Sequence, residues 1–448
     1  MTVGKEVRSN IAALMLGLAV VNPCVSQDSW KNTEDSAATA SRSAKYADAE
    51  KLLLSNLNIA HKLGTNDPRL PRTMLDLAEV YRAEGKYSDA LANYEQALQT
   101  YTKLYGGEAT EISDTLNGEA ELFKSLNDYA HAEPLLLRAL AIRQKHLPPG
   151  NRDIAQSQND LGELYTATNA FDKAGPLLKD ALASRQKDPG PESTDFAHSL
   201  QALGTFYSRT GNSKDAEDSY RRAVSLFGKT LGGEHPDYAN ALESLALCYE
   251  ARHDFASAEP LLQRVLDIRT QVFGPEHRDV ASSLDNLAAM KRAEGNSDEA
   301  AAFYERAIKI WEKVLGPDDP YLAPDLNNLG AIYEVRKDKA AQAEPLFIRA
   351  AALDEKALGA QSPELGSDLN NLGLLYFLLR RYPEAQTILE RALNIRTKAM
   401  GADDPSVAET LDNYTLVLTA LHREPEARQA ALRAKAIRRQ TATSQSGH

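Results

Sequence analysis

The sequence predicts an all-α protein, a right-handed α-solenoid of stacked helical hairpins with about nine repeats of 42 residues. A fixed period of this length is typical of repeat proteins, in which each unit packs on its neighbours. A column of mostly aromatic residues recurs every 42 residues, with one step of 43, at Tyr81, Phe123, Tyr165, Tyr207, Tyr249, Lys291, Tyr333, Tyr376 and Leu418. An alanine column keeps the same rhythm at Ala90, Ala132, Ala174, Ala216, Ala258, Ala300, Ala343, Ala385 and Ala427.

Each repeat contains two helical stripes, which we name helix A and helix B. In the repeat around Tyr249, Leu242, Leu245 and Ala246 lie seven, four and three positions before the aromatic residue. This spacing places their side chains on one face of helix A. A second stripe of the same kind starts at the alanine column and predicts helix B. Pairs such as Asp404-Pro405 suit the start of the next helix A, because the acidic side chain caps free amides and proline fits the first turn.

The N-terminus has the features of a secretory signal peptide. Lys5 and Arg8 precede an apolar run over residues 11–21, and small residues follow at Cys24 and Ser26. We therefore predict a signal peptide over residues 1–26, cleaved after Ser26, and a periplasmic or secreted protein. The apolar run is shorter than the roughly 20 residues that span a bilayer. An uncleaved N-terminal segment that anchors the chain is the alternative.

The rest of the chain divides into four predicted parts. Residues 27–45 are rich in Ser and Ala and predict a flexible linker. Residues 46–66 predict a capping helix, a degenerate repeat without a helix A. The nine repeats occupy residues 67–440, and residues 441–448 predict a disordered tail.

Charge and cysteine content restrict the partners and the chemistry. The formal net charge of −12 becomes −13 without residues 1–26, and such a balance disfavours nucleic acid and anionic membranes as partners. Cleavage would leave Cys248 as the one cysteine, so an intrachain disulfide is excluded in the mature form. We find no phosphate-binding loop, nucleophile elbow or metal-ligand spacing, and we expect no catalytic residue, no cofactor and no metal.

Segments such as "SLDNLAAMKRAEGNSDEAAAFYERAIKIWEKVLGPDDP" (residues 283–320) resemble tetratricopeptide repeats. The resemblance is to the 42-residue form found in kinesin light chains and in many bacterial repeat proteins, and it extends over all nine repeats. It implies that helix A lines a concave groove that binds protein segments. The heptad coiled coil that precedes the repeats of kinesin light chains has no counterpart here, so a motor-associated role is not expected.

Asparagines mark the predicted groove. They occupy the column five residues before the aromatic position in the last four repeats. A carboxamide both donates and accepts hydrogen bonds, as a peptide unit does, so this column could hold the main chain of an extended partner. The alternative is that the amides bond across neighbouring helices and stiffen the stack. The predicted site comprises Asn286, Asn327, Asn328, Asn370, Asn371 and Asn413 with the apolar Leu374, Phe377 and Leu378.

The same face should be acidic in the N-terminal repeats, where Glu79, Glu121 and Glu163 share one column. These glutamates predict a possible site for a basic segment. Arg82 and Lys124 follow three residues after Glu79 and Glu121, so ordinary ion pairs on the helix surface explain the glutamates equally well.

The sequence thus favours an exported, non-catalytic scaffold or adaptor whose groove binds an extended segment of a partner protein. The rival hypothesis is a structural spacer that associates through the edges of the solenoid. The identity of the partner and the oligomeric state are beyond what the residues indicate.

Overall fold

The fold comes from a computed structural model, which describes residues 23–336 and 338–445. The chain divides into two compact units, Met1–Cys248 and Tyr249–His448. Within the described residues it contains twenty α-helices in ten consecutive pairs and no strand. The predicted all-α, solenoid-like fold is therefore confirmed. None of these helices is long and apolar enough to cross a membrane.

The first unit contains five helix pairs and the start of a sixth. Its helices are α1 (Pro23–Arg42), α2 (Tyr46–Leu63), α3 (Arg69–Ala83), α4 (Tyr87–Tyr105), α5 (Thr110–Ser125), α6 (Tyr129–His146), α7 (Arg152–Ala167), α8 (Phe171–Lys187), α9 (Thr194–Arg209), α10 (Ser213–Thr230) and α11 (Pro236–Glu250), in which the division between the units falls. Odd-numbered helices correspond to helix A and even-numbered helices to helix B.

The second unit continues the same alternation. Its helices are α12 (Phe255–Phe273), α13 (Arg278–Glu294), α14 (Ser297–Leu315), α15 (Ala323–Glu334), α16 (Ala340–Leu358), α17 (Pro363–Leu378), α18 (Tyr382–Met400), α19 (Pro405–Ala420) and α20 (Glu424–Gln445), with a short 3-10 helix (Pro320–Leu322) before α15.

Each hairpin is held by close packing of helix A on helix B. The alanine column is buried throughout, with Ala90 to Ala385 fully inaccessible. Small residues on helix A complete the contact. A Cβ atom added at Gly373 would lie 2.5 Å from Leu389 Cγ, so α17 and α18 approach more closely than a larger residue permits. Successive A helices also contact each other, as α3, α5, α7 and α9 do in the first unit and α15, α17 and α19 do in the second.

The turns between hairpins use the predicted capping chemistry. The Asp404 carboxylate accepts a hydrogen bond from Ser406 N at 2.8 Å, and Ser362 Oγ accepts from Leu365 N at 3.2 Å. The recurring turn histidines do the same, because His235 Nδ1 and His277 Nδ1 accept from the backbone amides two residues further on. Both histidines are therefore explained as caps.

The N-terminal prediction was wrong in one respect, since residues 27–45 are not a flexible linker. α1 extends to Arg42 and packs on α2, which gives the predicted capping helix a partner and adds a tenth pair. Trp30 is buried on α1, its Nε1 donates to Thr73 Oγ1 at 3.1 Å, and its carbonyl accepts from Asn56 Nδ2 at 3.0 Å. Residues 1–22, which carry most of the predicted signal peptide, lie outside the described residues.

The C-terminal prediction also needs correction. α20 continues through Gln445, so residues 441–445 are helical and not a disordered tail. Residues 446–448 lie outside the described residues.

Candidate functional site

The asparagines of the second unit separate into two groups according to their hydrogen bonds. Asn327 on α15 donates through Nδ2 to the Asp368 carboxylate on α17, and Asn413 on α19 donates through Nδ2 to Asn370 Oδ1 on α17 at 3.1 Å. Asn370 is 1% exposed and Asn413 is partly buried. These three amides join consecutive A helices, as the stiffening alternative predicts. Asn286 also takes part in an interaction with its surroundings.

Asn328 and Asn371 form the second group. They lie one repeat apart on α15 and α17, each one position after an amide that bonds between helices. Both are partly exposed, and within the described chain neither side chain takes part in a hydrogen bond. Their donors and acceptors are therefore available to a partner.

Apolar side chains are exposed on α17, on α19 and at the end of α15. Leu374 and Leu378 are one turn apart on α17, so they point to the same side of that helix. Leu378 is 49% exposed, Leu416 on α19 is 46% exposed and Val335 at the end of α15 is 74% exposed. Phe377 is partly buried, with its ring centroid 5.8 Å from that of Tyr382. We call Asn328, Asn371, Leu374, Leu378 and Leu416 the amide and leucine surface.

The three glutamates of the first unit are already paired. Glu79 Oε2 lies 2.7 Å from Arg82 Nη2, and its other oxygen accepts from Tyr94 OH at 2.7 Å. Lys124 Nζ lies 2.7 Å from Glu121 Oε1 and 2.9 Å from Glu163 Oε2. Intrachain cations thus balance the acidic column, which weakens the case for a basic partner segment there.

A possible metal site in the first unit has the same explanation. Carboxylate oxygens of Glu121, Asp160 and Glu163 lie within 4.8 Å of one another. The Lys124 ammonium bonds to two of the three carboxylates, so it supplies the positive charge that a metal ion would provide. Burial raises the pKa of Asp160 to about 8, and Asn117 Nδ2 donates to its carboxyl at 2.9 Å.

Comparison with known families decides the class of this chain. A sequence model described as "Tetratricopeptide repeat" matches in eight overlapping segments, 32–103, 70–145, 153–228, 196–271, 237–313, 279–356, 326–398 and 366–440. Together they cover far more than half of the 448 residues. The chain belongs to the tetratricopeptide repeat family. The first match begins inside α1, in agreement with a complete hairpin at that end.

Several solved structures resemble this chain. A kinesin light chain of Podosopora anserina with nearly identical TPR-like repeats is 26% identical, with 46% of this chain and 98% of that one covered and a TM-score of 0.42. A STAND protein with a tetratricopeptide repeat sensor from Pyrococcus horikoshii is 14% identical, with 79% and 52% covered and a TM-score of 0.56. Rap protein complexed with Competence and Sporulation Factor is 13% identical, with 83% and 98% covered and a TM-score of 0.54. A search of curated proteins gave no match.

The sequence analysis did not identify a set of buried arginines on helix B. Helix B carries buried arginines at a single register, Arg143, Arg185, Arg269 and Arg396, each no more than 6% exposed. Arg143 Nη1 donates to Ser157 Oγ at 2.7 Å and to the Asp153 carbonyl at 2.8 Å on the next helix A. The signal was present in the sequence, since these arginines follow the 42-residue period. They join one hairpin to the next.

Proposed function

We propose that this tetratricopeptide repeat protein is a non-catalytic interaction scaffold, and that its amide and leucine surface binds an extended segment of a partner protein. The observation that carries the proposal is the contrast between neighbouring amides. Asn327 and Asn370 are used within the fold, whereas Asn328 and Asn371 make no hydrogen bond inside the described chain. Partly exposed carboxamides beside exposed leucines match the main chain and apolar side chains of an extended peptide.

Family membership supports the same class of function. Tetratricopeptide repeats typically form interaction scaffolds, and the family match covers both units. Among proteins that share the fold, Rap is complexed with Competence and Sporulation Factor. That complex is a property of Rap, whose fold this chain shares.

Site-specific photo-crosslinking tests the proposal in the native compartment. A photoreactive residue at Leu378 should capture a partner, whereas one at Leu432, which is 68% exposed on α20, serves as the matched control.

A synthetic peptide covering the crosslinked segment then provides a probe for fluorescence anisotropy. Replacing Asn328 and Asn371 by alanine should weaken its binding about tenfold or more, because each lost hydrogen bond contributes about 0.5–1.5 kcal/mol. The melting temperature of the variant should stay within about 2 °C of the parent.

The structural spacer is the second candidate, because side-chain hydrogen bonds from Asn327 to Asp368 and from Asn413 to Asn370 stiffen the stack. It predicts that Asn327→Ala and Asn413→Ala lower thermal stability and that Leu378 captures no specific segment. Unchanged peptide binding by the Asn328→Ala/Asn371→Ala variant would contradict the amide and leucine surface as the binding site.

Export is a further part of the proposal, and the signal-like residues 1–26 support it. Cleavage after Ser26 would shorten α1 by four residues and leave the buried Trp30 in place. N-terminal sequencing of the mature protein checks this, and Met1 or Thr2 as the first residue would exclude cleavage.

A further inference from the structure

A recurring set of three positions joins several of the hairpins to the next. It combines the position six before the aromatic column on helix A, the arginine register on helix B, and the position eight before the aromatic column on the next helix A. At one such joint Arg143 donates to Ser157 Oγ at 2.7 Å, and Ser157 Oγ lies 3.4 Å from Asn117 Oδ1. The buried guanidinium therefore supplies donors to the hydroxyls of Ser113 and Ser157 and to one backbone carbonyl, and its outer nitrogen pairs with the Asp114 carboxylate.

Other joints repeat this chemistry in both units. In the first unit Arg185 Nη1 donates to Ser199 Oγ at 2.8 Å, and Ser199 Oγ lies 3.2 Å from Asn159 Oδ1. In the second unit Arg396 Nη1 donates to Thr410 Oγ1 at 2.8 Å and to the Ser406 carbonyl at 2.8 Å. The arginine register thus pairs with a serine or threonine.

Two consecutive joints of the second unit depart from this pattern. At the first, Trp311 replaces the arginine, and the other two positions are Asp285 on α13 and Asp325 on α15. Trp311 Nε1 donates to Asp285 Oδ2 at 2.9 Å, and the carboxyls of Asp285 and Asp325 are within hydrogen-bonding reach of each other. Asp285 Oδ1 and Asp325 Oδ2 are buried and accept from no donor in the described chain.

At the second of these joints an aspartate replaces the arginine. Asp354 on α16 is 8% exposed and lies within hydrogen-bonding reach of Asp368 on α17, which is 2% exposed. Asn327 supplies one donor to Asp368, and Asp368 Oδ2 has none among the described residues. Two carboxyls can hydrogen-bond to each other only if they share a proton. α15 therefore lies between two joints, and each joint needs a shared proton between its two carboxyls.

No lysine or arginine of the described chain hydrogen-bonds to any of these four carboxyls. Burial is the main cause that raises the pKa of Asp285 to about 6, of Asp325 to about 8 and of Asp368 to about 7, and it also raises the pKa of Asp354. Glu364 on α17 also raises the pKa of Asp354 and of Asp368. Tyr304 on α14 interacts electrostatically with Asp285 and Asp325, and Arg292 and Glu250 act on Tyr304.

We propose that these two carboxyl joints act as a proton-dependent lock on α15, closed when each pair shares a proton and loosened when that proton passes to solvent. The direction follows from linkage. A folded chain that keeps protons which the unfolded chain releases loses stability as pH rises. The loss begins near the unfolded aspartate pKa of about 4 and ends near the folded value of about 8 for Asp325. α15 also carries Asn328, but the lock belongs to the free protein and does not depend on the proposed binding site.

Hydrogen exchange of the wild-type full chain tests the lock directly. Protection factors of the α15 amides, corrected for the intrinsic rate at each pH, should fall about tenfold or more between pH 5 and pH 8.5. The amides of α19, whose joint contains Arg396 and Thr410, provide the internal control in the same unit. Protection of α15 that follows that of α19 across the whole range would overturn the proposal.

Two variants assign the effect to the carboxyls. Asp325→Asn keeps the shape of the protonated acid but cannot lose a proton. The melting temperature of this variant minus that of wild type should therefore be about 2–4 °C larger at pH 8.5 than at pH 5. Asp403→Asn, at an exposed carboxyl before α19, should show the same difference at both pH values. The double variant Asp354→Arg/Asp368→Thr copies the Arg396 and Thr410 joint and should likewise flatten the pH dependence of the protection of α15. If both joint variants keep the wild-type pH dependence, the lock does not reside in these carboxyls.

Discussion

At the scale of single residues, the buried arginines of helix B determine how firmly one repeat is joined to the next. Arg185 is 1% exposed, and its guanidinium donates to Ser199 Oγ, the Asp195 carbonyl and Gln156 Oε1. A charged group can remain buried at this position because both terminal nitrogens of the guanidinium have acceptors, Ser199 and Asp195 on the next repeat and Gln156 on α7 of its own hairpin. The arginine therefore acts as a structural connector between hairpins, although its charge would suggest a surface residue.

Arg185→Ala should lower the free energy of unfolding by about 3 kcal/mol, because it leaves several buried acceptors without a donor. Urea denaturation of the full chain measures this loss. Arg221→Ala is the matched control, since its side chain is 59% exposed and pairs with Glu217 one turn away on the same helix. That variant should lose no more than about 0.5 kcal/mol. Equal losses in the two variants would show that the buried joint adds nothing.

The caps could be predicted from single residues, whereas the roles of the asparagines could not. Asp404 before Pro405 fixes a local geometry, and the structure has the expected hydrogen bond to Ser406 N. Asn327 and Asn328 are adjacent in sequence and both partly buried, yet only Asn327 meets a carboxylate on the next helix A. That difference depends on the distance between neighbouring repeats, which the sequence period does not contain.

At the scale of elements, the A and B helices were predictable where apolar residues repeat at helical spacing. α1 was missed because few of its described side chains over residues 29–42 are buried, mainly Trp30 and Ala37, and the serine-rich remainder matches the composition of a linker. Its place is set by contacts with α2 and by the Trp30 hydrogen bond to Thr73 on α3. Formation of α1 depends on tertiary packing, which the apolar pattern along the sequence does not include.

The close approach of α17 and α18 gives a prediction for one hairpin. Gly373→Ala places a methyl group 2.5 Å from Leu389 Cγ and 2.7 Å from Leu389 Cδ2, so the buried leucine must move. Overpacking of this kind typically costs about 1–3 kcal/mol, which thermal denaturation followed by circular dichroism will detect. Gly107→Ala is the control, because its nearest neighbour is the flexible tip of Arg138 at 3.7 Å. An unchanged melting temperature for Gly373→Ala would mean that the two helices separate without cost.

At the scale of the whole molecule, stability should be distributed and not concentrated in one core. Each helix pair packs mainly on its sequence neighbours, and such arrays have stabilities close to a sum of local terms. Cys248 is buried, and no disulfide is present within the described residues, so packing and hydrogen bonds between helices hold these repeats together. Arginine joints occur in both compact units, as at Arg143 and Arg396, and the second unit also contains the carboxyl pairs around α15.

The two tryptophans allow the units to be followed separately, because Trp30 is buried in the first unit and Trp311 in the second. In urea at pH 8.5, Trp30→Phe leaves Trp311 as the reporter of the second unit, and Trp311→Phe leaves Trp30 as the reporter of the first. We expect the Trp311 signal to change at the lower urea concentration, because the joints around α15 have then lost their shared protons. Each transition should also have a smaller urea dependence than one cooperative unfolding of the full chain would produce, since less surface is exposed in each step. Coincident midpoints with the urea dependence of a single large transition would show that the two units unfold as one.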